Sequence, residues 1–177
     1  MDKFQQAILS GLTECFDQIW TKVDDLSIEE LRWTPSKSSN DIQWNIWHIA
    51  RVEDRWINQR MQSIEEIWIN NKWYKYFNLE ESDHGNGDTI EKVRKMPNMK
   101  IEDLKKYFDE VRKKTVDFIT NIPPEKLKQI YPVKNSSIKM ESHKYTGIWI
   151  LGHLLVEESQ HLGQIAYIRG IIKGLNK

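Results

Sequence analysis

Apolar residues recur at spacings of three and four along four long segments of the chain. The first segment, at about residues 2–23, carries Phe4, Ile8, Leu12 and Ile19, and similar patterns fill about residues 41–62, 100–121 and 145–172. Such spacing places the apolar side chains on one face of an α-helix. The pattern therefore predicts an all-α protein, an up-down four-helix bundle that forms a single domain over residues 1–177.

Two connections between these segments lack a clear period. Residues 63–99 pass through a polar turn from Ser82 to Asp88 and then indicate a short helix that ends before Pro97. A connection of this length is usually functional or has structure of its own, so we expect it to form a lid or the rim of a pocket. His84 in the turn is expected to be solvated rather than a ligand. Residues 126–145 are compatible with a turn or with a short strand.

Composition and charge narrow the class of protein. The 177 residues include 26 Lys and Arg and 26 Asp and Glu, so no net field favours nucleic acid or a membrane surface as a partner. The N-terminus lacks the layout of a signal peptide, and no apolar run approaches the ~18 residues of a membrane span. We therefore expect a soluble cytoplasmic protein. The single cysteine, Cys15, excludes an internal disulfide and is expected in the core.

Tryptophan is frequent, with eight residues in the chain. Six of them lie in the first half of the chain between residues 33 and 73, namely Trp33, Trp44, Trp47, Trp56, Trp68 and Trp73. Most are expected to fill the core, and the alternative is an aromatic cluster around a cavity.

The last helical segment carries a candidate metal site. At about 100° per residue, Glu157 and His161 fall in the middle of the arc that holds Ile150, Leu154 and Ile165. Side chains four residues apart on a helix can converge on one small cation. An unpaired carboxylate on an apolar face is unfavourable, and protonation, ion pairing or metal coordination would each relieve it. A buried Glu and His bonded to each other, or to another helix, is the alternative to a metal site.

A catalytic site of the zinc type normally takes three protein ligands and leaves one position open. His48 in the second helix shares an arc with Trp44, Val52 and Trp56, so it can point inward as the third ligand. A single histidine at such a position is more often a hydrogen-bonded core residue. The residues alone leave both interpretations open.

Several residues near the candidate metal ligands are weaker candidates for a functional role. His153 lies at the edge of the same arc as Glu157 and is a candidate for supporting the site, whereas Glu158 is expected to face solvent. Arg51 and Arg55 are candidates for recognising a carboxylate, although surface exposure is the default for both. Arg169 is expected to form a structural ion pair, for example with a carboxylate on another helix, and the alternative is that it holds an anionic group of the substrate.

Taken together, these motifs resemble the DinB/YfiT-like family of metalloenzymes. The resemblance rests on the spacing of Trp44 and His48, on Glu157 and His161, and on the residues that follow or precede them: Gly163, Gln164, Arg169 and the segment Leu26 to Pro35. It spans essentially the whole chain. The His/Glu/His set resembles the branch that includes the metal-binding domain of mycothiol-dependent maleylpyruvate isomerases.

This resemblance implies a DinB-like bundle that binds a divalent metal ion, Zn²⁺, Ni²⁺, Fe²⁺ or Mn²⁺, through His48, Glu157 and His161. It also implies a homodimer that acts on a small-molecule substrate, with a low-molecular-weight thiol as co-substrate. The favoured function is a metal-dependent, bacillithiol-type S-transferase or a related transferase or isomerase. The alternatives are a hydrolase that uses metal-bound hydroxide and a non-enzymatic, stress-associated dimeric protein with a structural or vestigial metal site.

Overall fold

The computed structural model describes residues 1–131 and 145–174. The elements in chain order are α1 (Lys3–Val23), α2 (Ile28–Leu31), α3 (Ile42–Asp54) with a π-helical continuation (Arg55–Gln62), α4 (Ile67–Asn70), α5 (Trp73–Tyr76), α6 (Ile90–Lys95), α7 (Ile101–Asn121), α8 (Pro124–Lys128), β1 (Ile130–Tyr131), β2 (Tyr145–Thr146) and α9 (Gly147–Lys173). The long helices α1, α3, α7 and α9 match the four segments that the apolar period predicts. The all-α class is therefore confirmed.

Helix boundaries follow from capping residues in the sequence. Asp2 accepts a hydrogen bond from the backbone N–H of Gln5 at the start of α1, and Asp41 does the same for Trp44 at the start of α3. Such caps satisfy N–H groups that have no partner within the helix. At the other end of the chain, α9 stops at Gly174, whose φ of 90° few other residues adopt readily.

The long helices pack so that α1 and α3 each contact both α7 and α9. Two of these pairs are antiparallel. In the first, α1 and α7, Gln5 bonds the carbonyl of Ile119 while Phe16 contacts Phe108. In the second, α3 and α9, Asn45 bonds His161, whereas Trp56, after α3, contacts Trp149 near the start of α9.

The other two pairs are parallel. Arg51 of α3 bonds Tyr107 of α7, and Glu53 bonds Arg112 further along both helices. Cys15 of α1 contacts Ser159 of α9. Asp25, just after the end of α1, contacts Arg169, which lies further along α9. The chain therefore runs up-down-down-up, which corrects the strict up-down alternation of the sequence prediction. The reason is that residues 63–100 return along the bundle before α7 begins, as crossover connections do.

This long connection has its own structure, in α4, α5 and α6, and α6 ends before Pro97 as predicted. It covers Arg51, which is buried and ion-paired with Glu66 and Asp54. The guanidinium also lies 4.6 Å from the ring centroid of Trp68. The expectation of a solvated Arg51 was wrong because α4 brings a carboxylate from outside the helix to pair with it.

Large rings fill much of the core between α3, α7 and the connection. Trp47, Trp68, Tyr107 and Phe108 are all buried, which agrees with the expected core role for these two tryptophans. Trp33 is different, since 39% of its surface is exposed. Cys15 is buried, as predicted.

The segment 126–145 is described only in part. Ile130–Tyr131 pairs in antiparallel fashion with Tyr145–Thr146, so a short strand lies on each side of residues 132–144. Residues 132–144 lie outside the described residues. Within residues 1–131 and 145–174, none of the helices has the length and apolar content needed to cross a membrane.

Candidate metal centre

Three side chains from two antiparallel helices converge at one point in the bundle. The Nε2 atoms of His48 on α3 and of His161 on α9 each lie 3.4 Å from Oε1 of Glu157. One potential ligand atom from each residue lies within 4.8 Å of the other two. The structure thus brings together the three residues singled out in the sequence. Their role as metal ligands stays a prediction at this point.

Local helix geometry explains the convergence. Glu157 and His161 are four residues apart on α9 and therefore share a face. His48 is held on α3 by Trp44, whose ring stacks on the imidazole at a centroid distance of 4.6 Å and an interplanar angle of 15°. The Trp-x-x-x-His spacing thus positions the ring as well as marking the motif.

Hydrogen bonds at the far nitrogens orient both imidazoles. Nδ1 of His48 lies 2.7 Å from the backbone carbonyl of His84, and Nδ1 of His161 lies 2.6 Å from Oδ1 of Asn45. The amide of Asn45 is itself oriented, because its Nδ2 donates to the carbonyl of Asp41. Both partners are acceptors, so we assign a proton to each Nδ1, which leaves the Nε2 lone pairs of the neutral rings facing the centre.

The charge of the site favours a cation. Hydrogen bonds and positive charge from protonated His161, and then from protonated His48, hold the pKa of Glu157 well below its usual range, and a bound cation would act in the same direction, so this carboxylate is ionised at neutral pH. Protonation of Glu157 is therefore not how the site relieves its charge. Two neutral imidazoles and one carboxylate carry a net charge of −1 and form a set of ligands suited to a divalent metal ion.

Ion pairing of Glu157 with His48 and His161, without a metal ion, explains the same distances less well. With Nδ1 already protonated, each ring can donate from Nε2 to Glu157 only as an imidazolium. Two imidazoliums would then lie with ring centroids 5.0 Å apart and share one carboxylate. Since like charges this close destabilise each other, the donor set fits a bound cation better than a pair of charged histidines.

The site is sheltered but not sealed. The side chains of His48 and His161 are 7% and 10% exposed, whereas that of Glu157 is 19% exposed. Glu157 therefore lies at the edge of the buried face of α9 rather than at its middle, where the sequence prediction put it. This position leaves part of the Glu157 side chain in contact with solvent.

The turn 83–88 packs against the Nδ1 side of the His48 ring, opposite the side that faces Glu157. The ring of His84 is half-buried, and burial, followed by the charges of Arg55 and Arg51, lowers its pKa to about 4. Its backbone carbonyl, rather than its ring, supports the site. Lys92 pairs with Asp83 and Asp88 and so fixes the two ends of the turn. The prediction of a solvated His84 missed this backbone contact, which no side-chain pattern could reveal.

Gly85 lets this turn approach the imidazole. Its φ is +87°, and a Cβ added there would lie 2.3 Å from Nδ1 of His48. Gly87 in the same turn also has a positive φ, of +81°, but nothing lies within 4 Å of its added Cβ. Substitutions at the two glycines can therefore be compared. Both would introduce backbone strain, but only a substitution at Gly85 would also contact His48.

We expect Gly85→Ala to displace the His48 ring and to weaken Zn²⁺ binding by about 10-fold or more, an effect typical of disturbing a ligand's support. Gly87→Ala should lower the free energy of unfolding by a similar ~1 kcal/mol of backbone strain but leave metal affinity unchanged. Urea denaturation and calorimetric titration with Zn²⁺ would measure the two effects. Equal Zn²⁺ affinities in the two variants would contradict the supporting role of this turn.

Glu158, next to Glu157, is buried rather than solvent-exposed as expected. It accepts hydrogen bonds from Arg112 of α7 at 2.7 Å, and Arg112 also donates to Glu53 of α3 at 2.8 Å. Burial, together with the neighbouring Glu53, raises the pKa of Glu158 well above its usual value despite the opposing charge of Arg112. This cluster joins the helices that carry His48 and Glu157. Its cation comes from α7, so the local pattern of α9 gave no sign of it.

Other residues considered in the sequence lie apart from the three converging side chains. Arg169 pairs at 3.2 Å with Asp25, which follows α1, an ion pair of the kind that the structural interpretation expects. His153 stacks on Trp149 one turn before Glu157. Arg55 is partly buried and lies 3.9 Å from Glu66.

The fold and the site define a helical protein in which a His/Glu/His cluster lies between two antiparallel helices. Comparison with protein families identifies the group more closely. Residues 12–165 match the model of the DinB superfamily, and the chain belongs to that superfamily. The resemblance seen in the sequence is confirmed.

A solved structure supports the fold. A conserved protein from Enterococcus faecalis matches 98% of this chain, and 99% of its own chain is covered, with a TM-score of 0.83 and 20% sequence identity. At that identity the similarity concerns the fold. A comparison with curated proteins found no match.

Proposed function

We propose that the protein binds one divalent metal ion through His48, Glu157 and His161 and uses it to transfer a small thiol to an electrophile. The observation that carries the proposal is the meeting of two oriented Nε2 lone pairs with one ionised carboxylate. Three protein ligands leave positions on the ion for water or substrate, which is the arrangement of catalytic rather than structural sites.

A divalent ion held here would act as a Lewis acid that lowers the pKa of a thiol or water. The chain's own contribution is to keep the ligands in place. Asn45 and the carbonyl of His84 fix the tautomers of the two histidines, and Trp44 fixes the plane of His48. Glu157, the most exposed of the three, borders the open side where substrates would enter.

The nucleophile in this proposal comes from a co-substrate. The only cysteine of the chain, Cys15, lies buried on α1, where its Sγ is 3.5 Å from Oγ of Ser159. Burial, as the main cause, raises the pKa of its thiol, which opposes formation of the thiolate needed for attack. An external thiol is therefore a better candidate than a side chain of the enzyme.

Activity assays can separate the candidate functions. The protein would be loaded in turn with Zn²⁺, Ni²⁺, Fe²⁺ and Mn²⁺ and mixed with a panel of small electrophiles, with and without bacillithiol. We expect turnover that requires both metal and thiol and that is lost in His48→Ala. Turnover without thiol would instead indicate a hydrolase. Absence of turnover across the panel, in protein that retains metal, would support a non-enzymatic binding protein.

The homodimer expected from the family is also a proposal. Five large apolar side chains are exposed on α9, and two of them, Tyr167 and Ile171, share a face near its C-terminal end, away from Ile148, Trp149 and Val156. A second copy packed against this face would remove them from water, which is the usual reason for such a patch. The small-molecule substrate and the cytoplasmic location likewise remain predictions.

A further inference from the structure

A row of aromatic residues continues the line of the metal centre along α9. Tyr145, Trp149, His153, Glu157 and His161 follow one another at intervals of four residues. Tyr145 belongs to β2, just before α9, and within the helix each step of four residues turns about 40° and rises about 6 Å, so successive side chains of the row are neighbours. The ring of His153 therefore lies about 6 Å from the level of Glu157 along the helix, and that of Trp149 about 12 Å from it.

The antiparallel helix completes the cluster. Trp56, eight residues after His48 in the π-helical continuation, meets the rings of Tyr145, Trp149 and His153 edge-on, with centroid distances of 5.4, 6.1 and 6.1 Å. The two helices thus present the metal ligands at one level and aromatic rings at the next. We call Tyr145, Trp149, His153 and Trp56 the ring cluster.

The ring cluster is ordered yet accessible. Trp149 stacks on His153 at 4.6 Å and lies 4.3 Å from Tyr145, so its plane is fixed. Its surface is nevertheless 44% exposed, whereas Trp47 and Trp68 in the core are 1% and 0% exposed. A fixed and partly exposed indole can bind another ring with little loss of conformational freedom.

The chemistry of the ring cluster indicates what it would bind. None of its four members is an acid, a lysine or an arginine, so it favours an uncharged, planar, apolar group. The donor atom of such a molecule would lie at the metal centre, since the two sites are neighbouring levels of the contact that α3 and its π-helical continuation make with α9. The spacing of about 6–12 Å along the helix sets the distance between that atom and the ring.

We propose that the ring cluster is the binding subsite for an uncharged aromatic ring of the small-molecule substrate. The part of this inference that concerns the donor atom rests on the proposed metal-dependent function. The ring-binding part does not, because the contacts that order the four rings involve none of the three proposed metal ligands. Two separate measurements can therefore be made.

The first measurement uses matched thiols with protein that carries Co²⁺ as a spectroscopic substitute for Zn²⁺. Propane-1-thiol and 3-phenylpropane-1-thiol would be titrated while the thiolate-to-metal absorption band is recorded. We expect the phenyl compound to bind about 10-fold more tightly, and Trp149→Ala to remove this advantage without changing Co²⁺ content or the affinity for propane-1-thiol. Trp33→Ala, at another partly exposed tryptophan, should keep the advantage. An advantage that survives in Trp149→Ala would overturn the proposal.

The second measurement needs no metal. Metal-free protein labelled with 5-fluorotryptophan would be titrated with 3-phenylpropan-1-ol and followed by ¹⁹F NMR, with signals assigned from single Trp→Phe variants. We expect the signals of Trp149 and Trp56 to shift while that of Trp33 stays unchanged. Shifts at Trp149 no larger than at Trp33 would overturn the subsite. If the shifts occur but the protein takes up no metal, the subsite stands and the proposed metal-dependent function fails.

Discussion

Replacing Arg112 with methionine is expected to lower the free energy of unfolding by about 3–5 kcal/mol, the usual cost of removing one partner from a buried ion pair. Arg112 is buried between Glu53 and Glu158, and its guanidinium donates to both carboxylates and to the carbonyl of Leu12. Burial opposes the positive charge, but the two carboxylates outweigh burial and raise the pKa of Arg112. Methionine would fill similar volume and leave two acidic groups buried without their cation.

A matched control lies on the same helix. Lys105 pairs with Asp109 at 2.8 Å, and both side chains are nearly half exposed. Because exposed pairs contribute little, Lys105→Met should change the free energy of unfolding by less than about 1 kcal/mol. Urea denaturation followed by circular dichroism at pH 7 would compare the two variants. A loss below about 1 kcal/mol for Arg112→Met would show that the cluster does not stabilise the bundle as described.

Replacing His161 with alanine is expected to abolish metal retention. The wild-type protein, purified without chelator, should carry about one divalent ion per chain. Loss of a supporting residue alone typically weakens a metal site 10–100-fold, so loss of a ligand should weaken Zn²⁺ binding by more than about 100-fold. Elemental analysis would give the metal content and calorimetric titration the affinity.

The control for this variant is the neighbouring position. Gln160 precedes His161 on α9 but is exposed, so Gln160→Ala should keep both the metal content and the Zn²⁺ affinity of the wild type. Circular dichroism would verify that both variants remain helical. Equal metal content in His161→Ala and the wild type would exclude His161 as a ligand.

Much of the fold follows from local sequence signals. The apolar period and the caps locate the long helices to within a few residues, because both depend on neighbours along the chain. The direction of α7 was not predictable in this way. It depends on where the connection 63–100 crosses the bundle, and the same apolar period is compatible with either direction.

In the candidate site too, the features that depend on local sequence were predictable and those that depend on distant segments were not. The spacing of Glu157 and His161 and the Trp44–His48 pair are local, and the sequence identified all three converging residues. The roles of Asn45, the His84 carbonyl and Gly85 were missed because each depends on contacts between distant segments. Glu158 was assigned to solvent for the same reason, since its partner Arg112 lies on another helix.

Anomalous diffraction at a metal absorption edge would test the central claim most directly. Crystals of protein incubated with Zn²⁺ would be measured on both sides of the zinc edge. We expect one strong anomalous peak per chain between Nε2 of His48, Nε2 of His161 and a carboxylate oxygen of Glu157. This expectation would be contradicted by the absence of a peak there, with the two imidazoles bonded directly to Glu157 instead.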